Sequence, residues 1–149
     1  MHFSQLLALA ATATAASVRI DVGKSGLTFT PDSVTAAIGD TLEFYFVGGT
    51  HDAVTSSYAA PCTPAASGER FSSGVQVGSA SNKNVFKVLV NTTEPQFYYC
   101  SVGQHCANGM VAAVNPAAGQ TVTALKAAAR GKAAGRPTGV YGGKMETVP

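Results

Sequence analysis

The chain reads as an all-β sandwich or barrel with a short C-terminal α-helix and a flexible tail. Three observations carry that reading. Between residues 17 and 116, short β-branched and aromatic stretches recur at regular spacing. Gly, Pro, Asn and Asp punctuate them as turn formers. A run of helix formers follows only after Pro116.

In order, Val18, Ile20 and Val22 alternate with Arg19 and Asp21, the pattern of a half-buried strand. Phe29 to Pro31 and Val34 to Ala37 continue as short extended pieces. Gly39-Asp40 turns the chain into Thr41–Val47, TLEFYFV, and Gly48-Gly49 ends that strand. Ala53 to Ser56 is a further short strand. Residues 57–74 read as one long loop. Val85–Val90 is apolar on both faces, as expected between two sheets. Phe97–Val102 and Met110–Val114 complete the set. Gly119–Gly131 reads as a helix, with Thr121 as its cap, Lys126 and Arg130 in its last turns, and Gly131 as its stop. The remaining Gly- and Pro-containing stretch has no periodicity.

These boundaries divide the chain into an export signal over residues 1–16, a domain over 17–116, and a short helix with a flexible basic tail over 117–149. Leu6 to Ala11 forms the apolar stretch of the signal, and the small residues Thr14 and Ala16 suit cleavage before Ser17. The expected location is therefore outside the cell, where cysteines can oxidise. The domain carries five basic and seven acidic groups and the tail five basic and one acidic, which leaves cell-wall material as a possible contact of the tail. No apolar tail of the kind that a GPI anchor requires closes the sequence. Asn91-Thr92-Thr93 is a glycosylation sequon.

Composition excludes several classes. Charged residues make up 12% and hydrophobic residues 46%, too apolar for a disordered polyelectrolyte. A net charge of +2 is too small for a phosphate-neutralising nucleic-acid surface. No apolar run reaches the roughly 20 residues of a membrane span.

The informative residues are the scarce ones: three Cys, three His and three Met. Phe97–Pro116, FYYCSVGQHCANGMVAAVNP, sets Cys100, His105 and Met110 at regular intervals between two strands. A thiolate, an imidazole and a thioether favour copper, above all a site serving both Cu(I) and Cu(II). His51, just past the Gly48-Gly49 turn, supplies a second imidazole. Once the signal is removed, both remaining histidines belong to this set. Three cysteines leave one over after any pairing, and on the residues alone Cys100 can still pair with Cys62 or Cys106. Tyr98 and Tyr99 read as core and sheet-face residues.

The pattern Cys100-x4-His105-Cys106-x3-Met110, with upstream His51 and Cys62 in Ala60-Pro61-Cys62, resembles the cupredoxins. Among these it is most similar to the phytocyanin-type, plastocyanin-like blue copper proteins, and especially to secreted cupredoxin-like proteins of filamentous fungi. The resemblance covers about residues 18–116. It implies a Greek-key sandwich holding one copper ion, with His51, Cys100 and His105 in a near-trigonal plane and Met110 as a weak axial ligand. It also implies a Cys62–Cys106 disulfide beside the site. Plant members commonly carry Asn after the first His, where this chain has Asp52. That carboxylate either tunes the metal toward Cu(II) or is simply solvated at the surface.

A site filled by four ligands leaves no position for a substrate, so the expected role is outer-sphere electron transfer and not catalysis. The expected partner is a redox protein or a small-molecule reductant, with the carrier acting as a monomer. A secreted protein that sequesters copper or binds the wall without redox turnover is the competing reading. A copper oxidase or monooxygenase fits worse: two histidines are too few for a multicopper centre, and cleavage after Ala16 exposes Ser17 and not a histidine.

Overall fold

The computed structural model describes residues 12–149. Most of the expected export signal, residues 1–11, lies outside the described residues. Ala16 already joins the fold, its carbonyl accepting the Thr41 N–H.

Two sheets face one another. The first contains β1 (Ser17–Val22), β2 (Phe29–Thr30), β4 (Thr41–Phe46), β9 (Asn84–Leu89) and β13 (Lys144–Thr147), in the order β13-β9-β4-β1-β2. The second contains β3 (Ser33–Val34), β6 (Val54–Ser56), β7 (Ser72–Ser73), β10 (Gln96–Tyr99), β11 (Val111–Val114) and β12 (Val140–Tyr141), in the order β12-β7-β6-β10-β11-β3. A two-stranded ribbon of β5 (Thr50–His51) and β8 (Gln76–Val77) lies apart from both sheets. The chain changes sheets repeatedly, and β1 pairs in parallel with β4, as β3 does with β11. The result is the expected β-sandwich with one short helix.

Alternation decides what fills the space between the sheets. Ile20, Val22, Leu42, Phe44, Phe46, Phe86 and Val88 point inward from the first sheet and meet Tyr98, Ala112 and Val114 from the second. Phe44 and Tyr98 pack edge to face at 5.3 Å. In β9, Phe86 and Val88 are buried facing inward and Val85 is buried on the opposite face, while Leu89 is exposed, so the outer face is covered at one end only.

The outer face of the second sheet is buried too. Val54, Phe97, Tyr99, Val111 and Ala113 lie under α1 (Val122–Ala129), which contributes Val122, Leu125 and Ala129. Thr121 caps the helix as expected, its hydroxyl accepting the Ala124 N–H at 3.1 Å.

The tail corrects the expectation of flexibility. β12 pairs with β7 in one sheet and β13 with β9 in the other, so the last residues add an edge strand to each layer. Met145, opposite Phe86, packs against the core. The glycines that suggest a flexible linker serve close approach. A Cβ on Gly142 would lie 1.8 Å from the Arg70 carbonyl oxygen, and its φ is +68°. Residues 57–74 are likewise not loop throughout, since β7 lies within them.

Gly142→Ala is expected to lower stability by about 2 kcal/mol through strain and lost tail pairing. Gly139→Ala, also at positive φ but facing open space, is expected to cost less. Urea unfolding midpoints of the two variants check this.

Candidate metal centre

Two loops at one end of the sandwich bring the scarce residues together. The first leaves β4, turns at Gly48-Gly49 and enters β5, which carries His51. Glycine is required here for space. A Cβ on Gly49 would stand 2.6 Å from His51 Nε2, and one on Gly23 would stand 2.8 Å from His51 Cδ2. The ring is thus held by bare backbone on one side and turns Nδ1 toward the second loop.

That loop runs from Cys100 to Met110 and folds on itself. Cys100 donates its N–H to the Met110 carbonyl at 3.1 Å, Met110 donates to His105 at 3.0 Å, and His105 donates to Val102 at 3.0 Å. His51 Nδ1 and His105 Nδ1 lie 3.2 Å apart. Cys100 Sγ lies 3.7 Å from the first and 3.4 Å from the second. A point equidistant from three atoms at these separations is about 2 Å from each, the length of a metal–imidazole bond and slightly short of a metal–thiolate one. Among the described residues, these three form the group able to hold a metal.

Their surroundings prepare them for it. Burial pushes the Cys100 thiol up to about 12, while the backbone amides of Asp52 and Val102 that donate to the sulfur pull the other way. A cation is what would hold the thiolate at neutral pH. Burial, aided by the neighbouring His105, pushes the His51 imidazole down and keeps it in its neutral, ligating form, against a smaller upward pull from Asp52. His51 is 3% exposed, whereas His105 is partly open to solvent.

The other expected residues fall as follows. Met110 is fully buried in the same cluster as Cys100, its backbone closing the loop. Cys62 and Cys106 form a disulfide, S–S 2.08 Å, leaving Cys100 free. The bridge spans 44 residues and by the loop-entropy estimate contributes about 4 kcal/mol. It ties the residue after His105 to the 57–74 segment. Gly135 donates its N–H to the Cys62 carbonyl, and its own carbonyl accepts the Tyr99 hydroxyl, so the C-terminal segment backs the bridge. Tyr98 and Tyr99 are both fully buried core residues. Asn91 is exposed in the turn between β9 and β10, its amide donating to Glu69.

Asp52 is 1% exposed, which excludes its reading as a solvated surface group. Its carboxylate accepts the Ser101 N–H at 2.6 Å and the Ser101 hydroxyl. Residues following the two ligand candidates thus bind each other. Sequence reasoning missed Ser101 and the steric role of Gly23 and Gly49. The Gly48-Gly49 pair was visible, but only as the end of a strand.

No protein-family model matches the chain. Three curated proteins are similar to it. One, named extracellular serine-rich protein, from Arthroderma benhamiae, is 38% identical over 142 residues; the alignment covers 93% of this chain and 55% of that one, so the chain spans about half of its length. A second from the same organism, named probable GPI-anchored cupredoxin-1, is 34% identical over 138 residues, covering 91% of this chain and 71% of that protein. The chain belongs to the cupredoxin family. A protein of Arabidopsis thaliana named blue copper protein is 36% identical over 77 residues, covering 50% of this cupredoxin and 34% of the plant protein. Among solved structures, a pseudoazurin from Sinorhizobium aligns with a TM-score of 0.49 at 20% identity, over 66% of this chain and 72% of that one. The family assignment rests on the sequence relatives.

Two outcomes test the cupredoxin's site. Gly49→Ala is expected to displace His51 and weaken Zn(II) binding by at least tenfold, measured by competition with a chromophoric chelator. In the unaltered chain, binding releases the Cys100 proton. Apparent Zn(II) affinity should therefore rise about tenfold per pH unit between pH 7 and 9.

Proposed function

We propose that this cupredoxin holds one copper ion and carries single electrons outside the cell. The observation that carries the reading is the triangle of two imidazole nitrogens and one buried sulfur, sized for one ion. The residues fit copper in kind as well as size. Thiolate and imidazole donors suit both Cu(I) and Cu(II).

His51, Cys100 and His105 are the ligands in this reading, and the Met110 thioether is a weak fourth. When bound, copper supplies one-electron exchange between its two oxidation states. The protein's part is to keep the donors fixed. His51 is wedged against Gly23 and Gly49, His105 is tethered by the neighbouring Cys106 bridge, and Cys100 is held between two amides and the Met110 carbonyl. Donors that cannot relax make the geometry similar in both oxidation states, so little reorganisation accompanies electron transfer. A filled donor set offers no place for substrate, which favours a carrier over an enzyme. Partly exposed His105 is the edge through which a redox protein or small-molecule reductant exchanges electrons.

Export is supported by the Leu6–Ala11 leader, by the oxidised Cys62–Cys106 pair and by relatives named extracellular and GPI-anchored. Among the described residues, no helix is long and apolar enough to cross a membrane. Exposed Asn91 is the glycosylation site in this account.

The test is titration of the purified apoprotein with Cu(II), followed by visible and EPR spectra. An intense blue colour at one equivalent, abolished in Cys100→Ser, is the expected result. A colourless complex with a tetragonal copper signal would overturn it.

A further inference from the structure

The site contains a buried carboxyl group that holding a metal does not require. Asp52 is 1% exposed, and among the described residues no lysine or arginine pairs with it. Two donors from Ser101, the backbone N–H and the hydroxyl, satisfy its oxygens. An amide side chain could also join the two loops by accepting from Ser101, so a carboxylate calls for a separate explanation.

We propose that Asp52 is a fixed counter-charge that makes this site prefer a dication to a monocation, and so biases the bound copper toward Cu(II). The proposal rests on the copper reading above for its redox consequence, though not for its ionic one. Cys100 binds as a thiolate with one negative charge, and Asp52 supplies another, while both imidazoles are neutral. A dication brings this buried cluster to zero net charge. A monocation leaves it at one negative charge, which a poorly hydrated interior disfavours. With a neutral residue at 52 the balance reverses, since the monocation then gives the neutral cluster. Asp52 is a positioning residue in this sense: it acts on the ion through the field at the ligands and not by ligation.

Asp52→Asn tests the charge with the shape retained, because an amide oxygen can still accept the Ser101 N–H. The probes are Zn(II) and Ag(I), a dication and a monocation without redox chemistry here, titrated into the apoprotein. The Zn(II)-to-Ag(I) affinity ratio is expected to fall at least tenfold in Asp52→Asn. In the copper-loaded protein the same tenfold bias appears as a rise of about 59 mV in potential.

Ser101→Ala keeps the charge and removes one donor, so its ratio is expected to stay at or above that of the unaltered chain. That variant keeps the test decisive should Asp52→Asn fail to fold. Equal weakening of both ions in Asp52→Asn would mean a mechanical latch and would overturn the proposal, as would a tenfold lower ratio in Ser101→Ala. So would an unchanged ratio in Asp52→Asn, which would mean an uncharged carboxyl group. A blue protein with an unchanged ratio removes this inference alone. A colourless protein with a shifted ratio removes the electron-carrier reading and leaves the counter-charge in place.

Discussion

One buried sulfur governs the arrangement of this molecule. Cys100 lies at the end of β10, fully enclosed, where a bare thiolate is costly and a thiol contributes little beyond packing. It stays unbridged because Cys62 and Cys106 are joined to each other. Everything near it either supplies a partner for a charged sulfur or prevents that partner from moving. The amides of Asp52 and Val102 donate to it, the two imidazoles stand within 3.7 Å, and Met110 closes the loop behind it.

The C-terminal segment is part of this arrangement. Strands β10 and β11 need both faces covered, because Tyr98, Cys100, Met110 and Ala112 point into the sandwich while Phe97, Tyr99, Val111 and Ala113 point out of it. Helix α1 covers the outer face. The segment after it bonds to Cys62, to Tyr99 and, at Gly131, to Ala107 of the metal loop. The tail strands then clasp both sheets. The core therefore extends beyond residue 116, and the extension buttresses the ligand loop from behind.

Much of the site was legible in the order of residues, because Cys100 and His105 fall within one short loop whose spacing brings them together. His51 was legible through scarcity, as the histidine left over after the leader and that loop. Most strands were legible through alternation, although β5, β7, β8, β12 and β13 were not. The first four are two residues long, too short for a period, β13 lies in the glycine-containing tail, and each pairs with positions far away in the chain.

By itself the sequence determined the β class, the capped helix and the residue types able to hold a soft metal. These are local properties, carried by side-chain period, turn chemistry and short spacing. Only the tertiary structure decided that Asp52 is buried, that Gly23 and Gly49 shape the His51 pocket, and that the glycine-rich tail is ordered. Those outcomes depend on what lies across from a residue, and a pattern along one strand says which side it shows but not what covers it.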